Sequence, residues 1–496
     1  MTSEPQQKFS STPAGSVLWM TAQKWFSRLS GLLTVVILAR LLAPADFGLV
    51  AIALSIIPFL TLLSDLGFST YLVQAQNPTP EHFSTAFWYS CIAGTILSFG
   101  LGLLGYPLQM FLEVKDVVPI LWGLAPVVLF AAVGSVPNAM LRRRMRFDLI
   151  ARQAMLSGVI GQIVAITLAL SGFGVWALVA QTLIAQLTGT VMIWIAARWV
   201  PSSAFHFGEF RRMAVFGFNV VAVEFTAMAR ASAENTIVAA TLGLNGLGYL
   251  NVAQRLIQVA QDLTVTAITP VSTVVFSQLR VDRKRIASAY DMAQAVAYAL
   301  VTPIMVFIAV CAPLLVPVIF GPQWQPSIGA AQGFAIAGIM TIGAALDHGL
   351  LYGLGKPGTW FIYAVIIDGL TVAVTFVTVA HGLEAVAIGF IFVALVATMM
   401  RWPLVTSQID VTLGQLAGQF SRVILLAGAT GVAGYIAFDA AADHAPLVRL
   451  VIAGCAISLC WLASVYFLFP AALTEGKRLL QKVLDRIRPA AVVADR

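Results

Sequence analysis

The chain has 496 residues, of which 59% are hydrophobic and only 10% are charged, and its mean hydropathy is +0.89. This composition excludes a soluble globular protein and predicts a polytopic membrane protein, because apolar stretches of about 20 residues recur along nearly the whole sequence. The net charge of +7 comes mainly from short polar breaks, so it indicates membrane orientation and contact with anionic lipids rather than binding of nucleic acid.

Apolar runs separated by short polar breaks predict an all-α fold of about fourteen transmembrane helices. The predicted spans, in chain order, are 16–39, 47–73, 83–112, 117–140, 149–170, 174–196, 214–240, 246–278, 287–319, 327–352, 359–380, 384–402, 416–437 and 447–470. Ala43-Pro44-Ala45 is similar to a signal-peptidase site, but the preceding apolar stretch is too long and contains two cations. We therefore expect an uncleaved first span.

The loops between the predicted spans are too short to form a catalytic domain. The one stretch similar to a phosphate-binding loop, around Gly355-Lys356, lacks the first glycine of that motif and has a proline after the lysine. The four cysteines all lie within predicted spans without metal-ligand spacing. The sequence therefore predicts a protein that is not an enzyme and that holds no metal or other cofactor.

Basic residues are distributed unevenly between the two sides of the predicted spans. With the N-terminus inside, 21 of the 29 Lys and Arg residues fall on the cytoplasmic side, three fall on the opposite side and five lie within spans. Because positive residues in short loops are retained in the cytoplasm, this asymmetry predicts that both termini lie inside. The cytoplasmic set includes Arg142, Arg143, Arg144, Arg146 and Arg401, together with the basic C-terminal tail, which we expect to lie on the membrane surface.

Two weak internal similarities relate the first half of the chain to the second. An offset of 200 places Gly48 over Gly248, and an offset of 210 places Gly172 over Gly382. Because each repeat has six spans, an even number, the repeats share one orientation, which predicts two six-helix lobes with a substrate path between them. The predicted organisation is a cytoplasmic tail (1–15), an N-lobe (16–197), a cytoplasmic linker (198–213), a C-lobe (214–402), two additional helices (403–470) and an amphipathic basic cytoplasmic tail (471–496).

Charged residues at membrane depth cost about 2.5–3.5 kcal/mol each on insertion scales, so their positions point to function. They concentrate in the first two spans of each repeat, which predicts a polar cavity between the lobes. The candidate substrate-binding cations are Lys24, Arg28, Arg230 and Arg255, and the candidate coupling or ion-pairing acids are Asp65, Glu224, Glu234 and Asp262. Outside this set lie Asp368 and, near the end of the tenth span, Asp347 and His348.

Several of these charges also have a structural interpretation. Lys24 is close enough to the cytoplasmic end to extend its ammonium group to the interface. Glu224 is its counterpart at the offset of 200, so the two residues could also form a structural ion pair between the repeats. Arg230 and Glu234 are four residues apart, which suits an ion pair within one helix. The stronger binding candidates are therefore Arg28 and, in the second repeat, Arg255. Arg255 shares one helix face with Gln258 and Asp262.

Four segments of the chain resemble the polysaccharide transporter family, which belongs to the multidrug/oligosaccharidyl-lipid/polysaccharide exporter superfamily. They are LARLLAPADFGLVAIALSIIPFLTLLSDLGFSTYLVQ (38–74), PNAMLRRRMRFDLIAR (137–152), SGFGVWALVAQTL (171–183) and VPVIFGPQWQPSIGAAQGFAIAG (316–338). The resemblance extends over nearly the whole chain. It depends on the combination of the four segments.

This resemblance implies a Wzx-type flippase that moves an undecaprenyl-diphosphate-linked oligosaccharide across the bacterial inner membrane for exopolysaccharide, capsule or lipopolysaccharide O-antigen synthesis. It implies alternating access through a central cavity in which basic residues meet the lipid diphosphate. By this resemblance the role falls to Lys24, Arg28, Arg230 and Arg255. A proton or sodium gradient is the expected driving force. The expected partners are the lipid-linked oligosaccharide, membrane lipids and the polymerase or glycosyltransferases of the same pathway, with the protein itself a monomer.

Three other functions remain open at this point. A multidrug antiporter for organic cations should line its cavity with acids and aromatic rings and typically has twelve spans, whereas this chain has four buried cations and fourteen predicted spans. A lipid II flippase shares both features, and only the four segments above favour the polysaccharide family over it. A membrane-embedded polysaccharide polymerase or ligase is disfavoured by the short loops.

Overall fold

A computed structural model of the chain describes residues 13–75, 78–112, 116–278 and 283–469. Within these ranges, side chains are described except at 13–25, 219–220, 222–224, 226–227, 262–275, 277–278 and 283. The predicted surface tail 471–496 lies outside the described residues. The described residues form fifteen α-helices and two short 3₁₀ turns, and no strand occurs among them.

The helices follow one another with short connections. In chain order they are α1 (Pro13–Leu41), α2 (Pro44–Asp65), α3 (Phe68–Gln74), α4 (Pro80–Leu112), α5 (Val117–Arg143), α6 (Phe147–Leu170), α7 (Trp176–Ala197), α8 (Phe207–Gln278), α9 (Arg283–Phe320), α10 (Ile328–Thr341), α11 (Gly343–Gly353), α12 (Pro357–Thr378), α13 (Leu383–Thr406), α14 (Leu413–Ala440) and α15 (Pro446–Leu468). The 3₁₀ turns are Pro322–Ser327 and Val379–His381.

By length and composition, twelve helical segments within the described residues are able to cross a membrane. The chain is therefore an all-α, multi-pass membrane protein, which confirms the predicted fold class. The predicted span boundaries mostly agree with the helix ends to within about four residues, the uncertainty expected of sequence-based boundaries. The total of fourteen spans is approximate.

The second span was predicted as one continuous helix over 47–73, and this prediction was wrong. The helix ends at Asp65, and Leu66 and Gly67 both adopt left-handed backbone angles, with φ of 47° and 69°, before α3 begins at Phe68. A left-handed residue ends a helix because the i to i−4 hydrogen-bond pattern cannot pass through it, and glycine adopts that region without a steric penalty. The break places Asp65 beside the first turn of α3.

The predicted spans 214–240 and 246–278 form one helical run, α8, with a sharp kink at Gly243. The φ of 69° and ψ of −177° at this residue lie in a region that is essentially accessible only to glycine. The predicted boundary between the two spans therefore coincides with the kink. The helix begins at Phe207, inside the range predicted as a linker (198–213).

The part of α8 before the kink packs antiparallel along α2. Three contacts follow in order along the two helices. A Cβ at Gly217 would overlap the carbonyl oxygen of Leu66, the rings of Phe225 and Phe59 meet edge to face at 5.1 Å, and Ser232 Oγ donates to Ser55 O at 2.6 Å. Small residues and side-chain hydrogen bonds of this kind are what allow membrane helices to approach closely.

The offset of 200 found in the sequence appears in the structure as a reciprocal contact. A Cβ at Gly48 would overlap the carbonyl oxygen of Leu244, and a Cβ at Gly248 would overlap the carbonyl oxygen of Pro44. Pro44 and Leu244 are also 200 residues apart. In each segment, therefore, a glycine faces a carbonyl oxygen of the other segment at the equivalent position. This is the pattern of a two-fold-related interface, here within one chain.

The chain divides into two compact units. The first comprises Met1–Asn251 and Thr375–Ala380, and the second comprises Val252–Val374 and His381–Arg496. In the first unit, α4 and α5 pack closely because Gly94 and Gly102 face Ala132 and the ring of Trp122. In the second unit, the two additional helices contact α9, as shown by hydrogen bonds from Gln419 Nε2 to Asp291 O at 3.0 Å and from Trp461 Nε1 to Ala299 O at 2.7 Å.

Two of the cations predicted to face the cytoplasm cap the ends of helices. The NH1 group of Arg143 donates to the carbonyl oxygens of Leu72 and Ala75, at 3.1 and 2.6 Å, where α3 ends. The NH1 group of Arg144 donates to Ala197 O, in the last residue of α7, at 3.0 Å. Cations stabilise helix C-termini because the last carbonyl groups have no partner within the helix.

Candidate functional site

The structure places the eight predicted site residues on α1, α2 and α8. The side chains of Lys24, Glu224 and Asp262 lie outside the described residues, so their roles stay predictions. Asp65, Arg28, Arg230 and Glu234 belong to the first compact unit, and Arg255 belongs to the second. The predicted cavity between the lobes also stays a prediction.

Arg230 and Glu234 form the ion pair that their spacing suggested. Arg230 NH1 lies 3.1 Å from Glu234 Oε2, and the carboxylate side chain is only 4% exposed while the guanidinium is 33% exposed. The buried carboxylate needs this cation as its counter-charge, so the positive charge of Arg230 is partly neutralised within α8. Arg230 is therefore a weaker candidate for binding a substrate anion than its position alone suggested.

Arg28 and Arg255 are the other two candidate cations whose side chains the structure describes. Arg28 lies on α1 with its side chain half-buried. Arg255 lies after the kink of α8, and its NH1 group donates to the amide oxygen of Gln258, a neutral partner, at 3.3 Å. Further along the same face, Gln261 Nε2 lies 3.5 Å from Thr341 Oγ1 of α10. The polar face predicted from the spacing of these residues thus includes neutral hydrogen-bonding groups besides its charges.

Asp65 lies at the break between α2 and α3. Its carboxylate accepts hydrogen bonds from both the hydroxyl of Ser69, at 2.7 Å, and the backbone N–H of the same residue, at 3.3 Å. Accepting the N–H groups of a following first turn is a common way to cap a helix. One face of Asp65 also lines a cavity, so the residue is more than a cap.

The cavity that Asp65 lines has a volume of about 760 Å³ and lies entirely within the first compact unit. Four helix segments, α2 with α3, α5, α6 and α7, contribute to it. The polar lining residues are Thr61, Ser64, Asp65, Ser69, Ser135, Asn138, Arg142, Gln153, Ser157, Thr182, Gln186 and Thr190, and small residues and Ile193 complete the lining. Arg142, at the end of α5, is exposed and marks the side on which the sequence predicts the cytoplasm.

Charged residues within the predicted spans do not reveal this cavity, because Asp65 is the only one of them among its lining residues. The signal was present in neutral polar residues at helical spacing. Thr182, Gln186 and Thr190 follow one another at intervals of four on α7, and Gln153 and Ser157 do so on α6. Residues at i and i+4 share a helix face, so each helix presents a polar face at membrane depth. Which helices bring those faces together is decided by the tertiary structure.

A second buried polar group includes Arg401, which the count of basic residues places on the cytoplasmic side although the predicted span 384–402 contains it. Arg401 is part of α13 and is 2% exposed, and its Nε atom lies 3.4 Å from Asp347 Oδ2 of α11. Tyr290 Oη of α9 donates to Asp347 Oδ1 at 2.5 Å, and Gln294 Nε2 donates to the same oxygen at 3.3 Å. A cation close to a predicted span end is compatible with a loop or a helix, and only its buried partner excludes the loop.

Comparison with known proteins identifies the family. A family model described as polysaccharide biosynthesis protein matches residues 37–329, more than half of the chain. The chain belongs to this polysaccharide biosynthesis protein family. The resemblance predicted from the four sequence segments is thereby confirmed.

Relatives of this polysaccharide biosynthesis protein cover most of its length. The succinoglycan biosynthesis transport protein ExoT of Rhizobium meliloti (strain 1021) is 26% identical over 468 residues, which is 92% of this chain and 91% of that protein. The lipopolysaccharide biosynthesis protein WzxC of Escherichia coli (strain K12) is 21% identical over 392 residues, covering 75% of this chain and 76% of that protein.

Solved structures show the same fold. The lipid II flippase MurJ in an inward closed conformation has a TM-score of 0.73 at 14% identity and covers 92% of this chain and 100% of its own. An inward-facing multidrug resistance MATE family transporter of the MOP superfamily has a TM-score of 0.63 at 18% identity, covering 77% of this chain and 94% of its own. The polysaccharide biosynthesis protein therefore has the fold of these membrane transporters.

Proposed function

We propose that this protein is a flippase that moves an undecaprenyl-diphosphate-linked oligosaccharide from the cytoplasmic to the outer leaflet of the bacterial inner membrane. Its product would enter exopolysaccharide, capsule or lipopolysaccharide synthesis. The observation that carries the proposal is membership of the polysaccharide biosynthesis protein family. The name of ExoT as a transport protein and the similarity of the fold to the flippase MurJ support the same conclusion.

The physical problem for such a protein is to carry a diphosphate and a sugar across hydrocarbon. Charged and polar groups without partners are costly there, whereas the polyprenyl chain is stable in the bilayer. We propose that Arg28 and Arg255 hold the diphosphate in a central cavity, with Lys24 and Arg230 contributing to the positive field. Arg230 is secondary because Glu234 pairs with it.

Transport is proposed to occur by alternating access between two six-helix lobes, 16–197 and 214–402, with helices 403–470 attached to the second. Asp65, Glu224, Glu234 and Asp262 would exchange with the cavity cations or with a coupling proton or sodium ion. The proposed topology has both termini in the cytoplasm, and the protein would act as a monomer that passes its product to the polymerase of the same pathway. The orientation is supported by the distribution of basic residues.

The proposal is tested in proteoliposomes that contain purified protein and labelled lipid-linked oligosaccharide from the host strain. Wild-type protein should accelerate appearance of the oligosaccharide in the opposite leaflet, and Arg28→Ala and Arg255→Ala should slow it at least tenfold. Arg146→Ala is the matched control, because Arg146 is exposed and paired with Asp148 at 3.1 Å. Full activity of both variants would refute the site assignment, and no acceleration by wild type would refute the function.

Lipid II flipping is the second candidate, favoured by the similarity of the fold to MurJ over 92% of the chain. The same vesicles, prepared with lipid II, separate the two substrates. Faster movement of lipid II than of the host oligosaccharide would favour this second function. An organic cation antiporter, in contrast, would move neither lipid and would carry a fluorescent cation against an ion gradient.

A further inference from the structure

The cavity of the first compact unit has a lining that is unusual for the interior of a membrane protein. Of its 20 lining residues, seven carry hydroxyl groups, three carry amides, one is a carboxylate and one a guanidinium. Seven of the others are Gly or Ala and the last is Ile193. Small residues create the space, and nearly every larger side chain around that space is a hydrogen-bonding group.

The hydrogen-bonding capacity of these groups is only partly used within the protein. Among the described residues, Asn138 Oδ1 is buried without a hydrogen-bond partner. Gln186 Nε2 reaches Thr190 Oγ1 only at 3.5 Å, and Gln153 Nε2 reaches Ser157 Oγ at 3.3 Å. Distances beyond about 3.2 Å are long for this type of bond. Because buried polar groups without partners are costly, the lining has the character of a site that receives its partners from a ligand.

The chemistry of the lining selects the class of ligand. An apolar drug would leave the amides and hydroxyls without partners. A single cation needs a shell of oxygens at about 2.0–2.6 Å, whereas this cavity of about 760 Å³ is far wider and is bordered by the cation Arg142. A diphosphate would meet one guanidinium and the opposing carboxylate of Asp65. A neutral ring with several hydroxyl groups, each both donor and acceptor, matches amides, hydroxyls and a balanced pair of charges.

We propose that this cavity binds a neutral sugar residue of the lipid-linked oligosaccharide, as a subsite separate from the cations that hold the diphosphate. The inference rests on the proposed flippase function. The cavity volume is within the range of about 300–1,000 Å³ typical of small-molecule sites. Because the cavity lies inside the first unit, it would keep the sugar hydroxyls out of the hydrocarbon during transport. Without such a site, hydroxyl groups in lipid would lose their hydrogen-bond partners.

Two variants close or depolarise the cavity without disturbing the diphosphate site. A Cβ added at Gly158 on α6 meets no atom within 4 Å, so Gly158→Leu fills the cavity without a clash at the backbone. Gly100→Leu on α4 is its control, because the space there is also open and Gly100 does not line the cavity. Gln186→Met removes an amide from α7 at similar volume. Gln181→Met, five residues earlier on the same helix, is its control, because Gln181 does not line the cavity.

The test measures binding of three labelled probes to purified protein. They are the lipid-linked oligosaccharide pool extracted from the host, the free oligosaccharide released from that pool by mild acid, and undecaprenyl diphosphate. We expect Gly158→Leu to weaken binding of the lipid-linked oligosaccharide about tenfold and Gln186→Met about three- to tenfold, the effect of one or two hydrogen bonds. Undecaprenyl diphosphate should bind equally to all variants. The free oligosaccharide should compete for wild type and fail to compete for Gly158→Leu.

The outcomes separate this inference from the proposed function. Wild-type protein that binds neither lipid would refute the flippase function and the sugar subsite together. Wild-type binding that Gly158→Leu and Gln186→Met leave unchanged, or that they weaken equally for undecaprenyl diphosphate, would refute the subsite alone. A changed sodium or proton dependence of transport with unchanged oligosaccharide affinity would assign the cavity to an ion and would also refute it.

Discussion

The buried ion pair of the second compact unit gives a sharp prediction about stability. Asp347 and Arg401 have side chains that are 6% and 3% exposed, with 3.4 Å between Oδ2 and Nε. Replacing Arg401 by Met removes the cation, and the donors that then remain to the carboxylate among the described residues, Tyr290 and Gln294, are neutral. Breaking a buried pair from one side costs about 3–5 kcal/mol, because a buried charge is left without its counter-charge.

The reverse substitution should behave similarly. In Asp347→Leu the guanidinium keeps the neutral acceptors Thr398 Oγ1, at 2.9 Å, and Met340 O, at 3.2 Å, but loses its only anionic partner among the described residues. The double variant Asp347→Leu/Arg401→Met removes both charges, so it should cost at most about 1 kcal/mol, since replacing a whole buried pair by apolar groups is often neutral. The singles and the double together form a double-mutant cycle.

The assay is the apparent melting temperature in detergent, read from the loss of the monodisperse peak in size-exclusion chromatography after heating. The second unit has about 240 residues, and for that size about 1 kcal/mol shifts the melting temperature by roughly 2–4 °C. A loss of about 3 kcal/mol therefore predicts a decrease of about 6–12 °C for each single variant. Arg422→Met, at an exposed position of α14, is the control and should change little.

Two results would refute this reasoning. If both single variants melt within about 2 °C of Arg422→Met, the pair does not stabilise the second unit. If the double variant is as unstable as the singles, the loss comes from packing or from the neutral hydrogen bonds of Tyr290 and Gln294, and the charge interaction is not its cause. Either result would mean that the ion pair with Asp347 does not offset the cost of burying Arg401.

Three further predictions concern the first unit and the kink of α8, each read from the same melting assay. Gly48→Ala should cost about 1–3 kcal/mol because the added methyl group overlaps a carbonyl oxygen of α8. Gly100→Ala, with open space around it, should not destabilise the protein. Equal melting temperatures of the two variants would contradict the reciprocal contact. Gly243→Ala should cost about 1–3 kcal/mol because alanine avoids the backbone angles found there, and a stabilised variant would show that the kink is absent. Arg143→Met should cost about 1.5–3 kcal/mol through lost bonds to the carbonyls that end α3, whereas Arg146→Met should stay within about 1 kcal/mol because its ion pair is exposed. Similar losses for these two would exclude the capping role.

Much of the fold was predictable because a membrane imposes simple rules on sequence. Each span needs about 20 apolar residues, and the bilayer leaves the backbone few alternatives to a helix, so the segments were found with ends close to those observed. The offset of 200 is also visible in the structure, since Gly48 faces the carbonyl oxygen of Leu244 and Gly248 faces that of Pro44. The ion pair between Arg230 and Glu234 was predictable because both residues lie on one helix four positions apart.

The features that could not be predicted from the sequence depend on contacts between distant segments. The break at Leu66 and Gly67 lies inside a continuous apolar run, so hydropathy does not register it. Arg401 was counted with the cytoplasmic cations because it lies near the end of a predicted span, and its partner Asp347 is 54 positions away on another helix. In each case a local pattern permits more than one environment, and the choice is made by what packs against it.

The sequence by itself determined the class of the protein and most of its membrane spans through hydropathy, and it determined the family through the resemblance of four segments. Only the tertiary structure decided that the polar faces of α5, α6 and α7 converge with Asp65 on one cavity, and that Asp347 and Arg401 pair in the interior. The physical reason is that a helix sequence specifies which side chains share a face. The partner of that face is specified only by the packing of the whole unit.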